Sequence, residues 1–234
     1  MRFVTSSRVE LVCACFSLVG AVILIAATFA SLEAYVNCPG SSCALYADFS
    51  PEKGPTCGNK AACDLAMFFG FASLVAGLLF VVQITCVMRH GAVAEQPGKS
   101  SWLRHILSLK MLLALFFVLG LFAIAVVTSV GAAVYCEHQK AVWKEANETV
   151  TYPGCQEYDR WVAQLPGSGW PSNGFVTMQA MMAGVWLSFV FWLSVFVVTI
   201  VQYLQRQQLA RSSQFTKLKD SAHAVTSYSS NNLI

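Results

Sequence analysis

The chain has 234 residues, 56% hydrophobic and 12% charged, with a formal net charge of +3. A soluble domain carries about 25% charged residues, so this much apolar surface does not fit inside one small water-borne globule, and lipid is its solvent. The small net charge argues against a nucleic-acid binder.

In chain order, residues 1–10 are a short cytosolic N-terminus carrying Arg2 and Arg8. Residues 11–32 are uncharged and apolar and form the first span, TM1. Thr28-Phe29-Ala30 offers small residues for signal-peptide cleavage. The run is longer than the 7–15 residues of a signal-peptide core, so an uncleaved span is expected. Residues 33–64 are outer loop 1, where Pro39, Pro51, Pro55 and several glycines break helices, and Cys38, Cys43, Cys57 and Cys63 fall within it. Residues 65–88 are TM2. Gln83 is its one strongly polar side chain, and Gly70 and Gly77 share a face suited to close helix approach.

Residues 89–110 are a cytosolic loop with Arg89, Lys99, Arg104 and Lys110 against Glu95 alone. Ser101 to Lys110 reads as the basic flank of the next span in preference to a surface helix. TM3, residues 111–135, is twenty-five residues without a charge. A bilayer core about 30 Å thick needs roughly 20 apolar residues at 1.5 Å each. Residues 136–174 are outer loop 2, with the sequon Asn147-Glu148-Thr149, Cys155, Trp143, Trp161 and Trp170. Trp170 and Phe175 are expected to anchor the next helix at the interface. TM4 covers 175–204, where Ala180, Gly184 and Ser188 repeat at four-residue spacing, a helix-packing face, although such residues are also common in spans by chance. Residues 205–234 are a cytosolic tail, first basic, then rich in serine and asparagine, with too few apolar residues for a core, and disorder is expected there. The fold class is an all-α membrane protein, a four-transmembrane-helix bundle with two disulfide-braced outer loops.

Two arguments set the orientation. With both termini and the 89–110 loop inside, that side holds ten of the fifteen Lys and Arg and three of the twelve acids, +7 against −4 outside. The Lys/Arg bias is the term that orients spans. Six of the nine cysteines then lie outside, in the oxidising compartment where disulfides persist. Asn147, the N-glycosylation candidate, falls on the same side. The expected location is an integral membrane protein of the secretory pathway or plasma membrane with both termini cytosolic.

Six cysteines allow fifteen pairings, and spacing does not choose among them. Cys136 with Cys155 closes a loop of roughly twenty residues, where a bridge contributes about 3 kcal/mol. A bridge between the two outer loops is the alternative. Metal ligation is disfavoured by the absence of C-x-x-C pairs and by the oxidising compartment. Cys86, beside Arg89, is a candidate for palmitoylation, but a buried small apolar residue is the preferred reading.

Catalytic chemistry is hard to find. The four runs contain no ionisable side chain, which argues against a transporter pathway. Gln83, Thr128, Ser129, Gln179 and Thr199 are read as interhelical hydrogen-bonding groups. Glu157 and Asp159 are read as solvated loop acids. No H-E-x-x-H, G-x-S-x-G or P-loop is present. The chain is therefore read as non-enzymatic, with no catalytic, cofactor or metal site and no cofactor.

Three segments carry a family resemblance. They are Arg8-Val9-Glu10-Leu11 and Cys43-Ala44-Leu45-Tyr46; Ala61-Ala62-Cys63; and Thr128-Ser129-Val130-Gly131 with Tyr135-Cys136, followed by Cys155 before acids. The chain resembles the transmembrane protein 179 family, including its B-type members, four-span proteins with cytosolic termini and two outer loops. The resemblance implies Cys43, Cys63, Cys136 and Cys155 as shared outer cysteines. It leaves Cys38 and Cys57 as additions, hence the favoured pairings Cys43–Cys63 and Cys38–Cys57. It transfers no biochemical activity. Claudins, with W-G-L-W in the first loop, and tetraspanins, with C-C-G in the second, fit less well.

The function expected is association with other membrane proteins in the lipid bilayer, with homo-oligomerisation left open. The alternatives are a subunit of an oligomeric channel or transporter, and loop-mediated adhesion through the tryptophans.

Overall fold

The computed structural model describes residues 2–34, 43, 48–50, 54–56, 60–90, 100–146, 151–165 and 172–231. Five helices and one short hairpin follow in order: α1 (Arg2–Ala34), β1 (Asp48–Ser50), β2 (Gly54–Thr56), α2 (Lys60–His90), α3 (Ser100–Ala146), α4 (Cys155–Ala163) and α5 (Gly174–Asn231). Four stretches are long and apolar enough to cross a membrane: Leu11–Ser31, Ala61–Cys86, Leu107–Glu145 and Gly174–Gln205. The protein is a four-span bundle.

The spans are antiparallel neighbours around a ring. α1 packs against both α2 and α5, α3 packs against α5, and α2 meets α3 most loosely. The interior is aromatic around Trp192. Phe117 stacks on Trp192 at 4.4 Å, Phe80 meets the same indole edge-on at 5.4 Å, and Trp192 Nε1 donates to Ser73 Oγ at 2.7 Å. Outward positions such as Leu79, Leu112 and Leu119 are exposed and apolar, as a surface solvated by acyl chains requires.

Two of these helices, α3 and α5, run well past the hydrocarbon. α3 begins at Ser100, so the 101–110 segment is continuous with the third span. It continues to Ala146 because neither proline nor glycine falls between Gly131 and Pro153. The tail expected to be disordered is helical to Asn231. No proline or glycine follows Gly184, and a helix already nucleated in the membrane propagates cheaply through good helix formers such as Gln205 to Arg211. Loop 1 holds the single departure from helix among the described elements. Asp48, Phe49 and Ser50 pair antiparallel with Thr56, Pro55 and Gly54, and β1 lies against α3.

Candidate functional site

The best-defined assembly of polar side chains lies where α3, α4 and the start of α5 meet, past the apolar part of the spans. α4 begins at Cys155, preceded by Gly154 at φ +117°, a backbone conformation only glycine adopts without strain. Its residues 155, 158, 159 and 162 share one face by helical spacing. Tyr158, Asp159 and Val162 on that face are fully buried. The matching face of α3 carries Tyr135, Cys136, Gln139 and Trp143. Cys136 and Cys155 are joined by a disulfide, with Cα atoms 5.5 Å apart.

One turn beyond that bridge, the Asp159 carboxylate joins three helices. Tyr135 Oη donates to Oδ1 at 2.5 Å and Gln139 Nε2 donates to the same oxygen at 2.8 Å, both from α3. The backbone N–H of Phe175, in the first turn of α5, donates to Oδ2 at 2.7 Å. A carboxylate at a helix N-terminus satisfies an orphan donor and complements the helix dipole. Tyr152 Oη reaches Gln139 Oε1 at 3.4 Å, a long contact that closes the network. The Tyr152 phenol is pushed up to about 12, first by burial, then by the nearby Asp159 and Glu157 charges.

An aromatic cluster covers this network. Trp143 packs edge-on to Trp161 at 5.1 Å and to Tyr158 at 6.3 Å, and Tyr152 lies 6.3 Å from Tyr158. Asp159 is thus no solvated loop acid. The 155/158/159/162 spacing was the signal that it faces inward, and a reading by loop position alone missed it. Phe175 contributes its amide to the network and is half-buried against the core.

In loop 1 the structure brings Cys43 and Cys63 together as a disulfide, with Cα atoms 6.1 Å apart. Cys38, Cys57, Asn147 and Trp170 lie outside the described residues. Cys86 is exposed, which overturns the reading of it as a buried apolar residue; it sits on the outer face of α2 near the end of the span.

Within the membrane, Gly184 and Ser188 face α1. A Cβ on Gly184 would stand 2.7 Å from the Leu24 amide nitrogen, and one on Gly20 would stand 2.6 Å from Ser188 Oγ. Ala180 is half-buried on the edge of the core. Gly70 and Gly77 also face α1, where Ile25 and Leu18 side chains fill the space. The polar span residues divide. Ser129 accepts from Trp186 Nε1 across α3 and α5 at 3.1 Å. Thr128 and Thr199 instead donate to carbonyls of their own helices, Ile124 at 2.9 Å and Val195 at 2.7 Å. A threonine hydroxyl reaches the carbonyl four residues back without crossing to a neighbour, so the interhelical reading is corrected for these two. Gln179 is exposed, and Gln83 lines the gap between α2 and α3.

Among the described residues, no group of three or more His, Cys, Asp or Glu is placed to hold a metal ion. A family model described as the transmembrane protein 179/179B claudin domain matches residues 6–225. No curated protein and no solved structure matches the chain. The claudin name in that description corrects the contrast drawn from the missing W-G-L-W: its absence does not separate this chain from claudin-type domains.

Proposed function

We propose that this chain, which belongs to the transmembrane protein 179/179B family, acts by associating with other membrane proteins and has no enzymatic activity of its own. The observation that carries this reading is the Asp159 junction. Both carboxylate oxygens are committed to holding α3, α4 and α5 together, which makes a poor catalytic acid and a good brace. A surface rigid before binding loses little ordering entropy when a partner docks. Trp143 and Trp161 pack into the module, which weakens the alternative of adhesion through exposed tryptophans. The charge bias across the spans and the two disulfides support cytosolic termini and a place in the secretory pathway or plasma membrane.

Extraction in mild detergent followed by quantitative mass spectrometry of co-purifying proteins tests the proposal. A specific membrane protein is expected, enriched with the wild type and reduced with Asp159→Ala at equal membrane abundance. Recovery of chaperones alone would count against it.

A further inference from the structure

The bundle has one loosely mated side. Between α2 and α3 a groove of about 980 Å³ runs along α2 from Asp64 to Gln83, about 28 Å at 1.5 Å per residue. Its walls are apolar, with Phe71, Val75 and Leu79 from α2 and Leu113 from α3. Lys110 lies at one end, 9% exposed, with its ammonium 5.2 Å from the centre of the Phe80 ring. The chain is basic at that same end: α2 finishes on Arg89 and His90, and Arg104 and His105 lie one to two turns before Lys110 on α3.

We propose that this groove seats one acidic phospholipid, its acyl chains along Phe71, Val75 and Leu79 and its phosphate at the Lys110 ammonium. An apolar trough that opens to the bilayer and ends at a cation is complementary to a molecule with a hydrocarbon body and an anionic head. A sterol has the body without the charge. Basic pockets between helices at a membrane face recognise acidic headgroups in this way. The Lys110 ammonium borders the groove beside the Phe80 ring, and a compact ammonium is a suitable point charge for phosphate. A zwitterionic lipid carries the same phosphate but offsets it with its own headgroup cation, so wild type should prefer an acidic lipid by about fivefold, the factor one such cation supplies for a net negative charge near a membrane surface.

The test uses the full-length protein in mild detergent, offered equimolar phosphatidylserine and phosphatidylcholine, with retained lipid counted by native mass spectrometry. Wild type retains the serine lipid in excess, Lys110→Arg keeps the preference, and Lys110→Gln brings the two lipids to parity. Ala72→Phe, which narrows the groove without touching its charge, lowers retention of both. Lys110→Gln is read beside Lys110→Arg, whose retained preference shows that the position tolerates substitution, so it decides even if Ala72→Phe misfolds. Equal retention of the two lipids by wild type, no phospholipid retained at all, or an unchanged preference in Lys110→Gln overturns the proposal. So does a protein chain, in place of lipid, captured in membranes by a photoreactive side chain substituted for Val75.

Discussion

Along the α1–α5 seam the two backbones touch through Gly20, Gly184 and Ser188, with nothing larger than a hydroxymethyl group between them. In the cap where α3, α4 and α5 meet, the same kind of helix contact is made by a disulfide, a buried carboxylate and four large aromatic rings. The difference follows from the surroundings. Lipid tails are as apolar as leucine, so burying apolar area brings helices together only weakly in a bilayer, and close van der Waals approach decides. Beyond the hydrocarbon, water returns the hydrophobic drive, and rings can be buried for gain. The cap is small, however, and a nine-residue helix does not hold itself. Its position is fixed by the bridge at Cys155 and the carboxylate one turn later.

Asp159→Ala should break the cap while leaving the seam alone. It removes the carboxylate to which the Tyr135 hydroxyl, the Gln139 amide and the Phe175 N–H donate in a buried site. Losing the charged partner of such donors costs about 3–5 kcal/mol. The expected result is rapid proteolysis within 151–165 and a lowered thermal midpoint in detergent, with the four spans still helical by circular dichroism. Protease resistance equal to wild type would show that the aromatic cluster and the bridge hold the cap without the carboxylate.

Gly184→Ala should do the reverse. The added methyl meets the Leu24 backbone at 2.7 Å, and backbone cannot swing aside as a side-chain tip does. Overpacking of this kind costs about 1–3 kcal/mol. The variant should unfold at lower temperature while its 151–165 segment stays as protease-resistant as in wild type. If both regions loosen together, the seam and the cap are one cooperative unit and the contrast between them fails.

What the sequence disclosed divides along the same line. The spans were legible because uncharged runs of twenty or more residues have one physical explanation. The 180/184/188 spacing was legible as a small-residue face, but its mate was not, because Gly20 gains meaning only when α1 is placed beside α5. Helix beyond the hydrocarbon was missed in the tail because low apolar content was weighed above the absence of any breaker after Gly184. Asp159 was missed because a loop acid is solvated by default. The periodicity that contradicts this default covers only Cys155 to Val162, too short to stand out before the bridge is known. The groove beside Lys110 depends on how loosely α2 and α3 pack, which no pattern in either helix encodes.

The smallest effect concerns the rim of the cap. Tyr152 holds its phenol proton up to about pH 12, chiefly through burial, with Asp159 and then Glu157 adding to it. An unfolded tyrosine ionises near 10. Between those values the unfolded chain has released the proton and the folded cap has not, so fewer protons are bound unfolded and stability falls as pH rises from about 10 to 12. Below pH 10 this group contributes no pH dependence. Because Tyr152 is only half-buried, water screens much of the interaction and the loss is small. A difference titration at 295 nm between wild type and Tyr152→Phe should isolate one phenol ionising near 12. In Asp159→Asn, which keeps a side chain of the same shape, that phenol should come down part of the way and remain above 10, because burial is the larger cause. A midpoint at 10 in the wild type would mean that water reaches the Gln139 side of the network, and the cap would then be a looser body than its bridge and carboxylate imply.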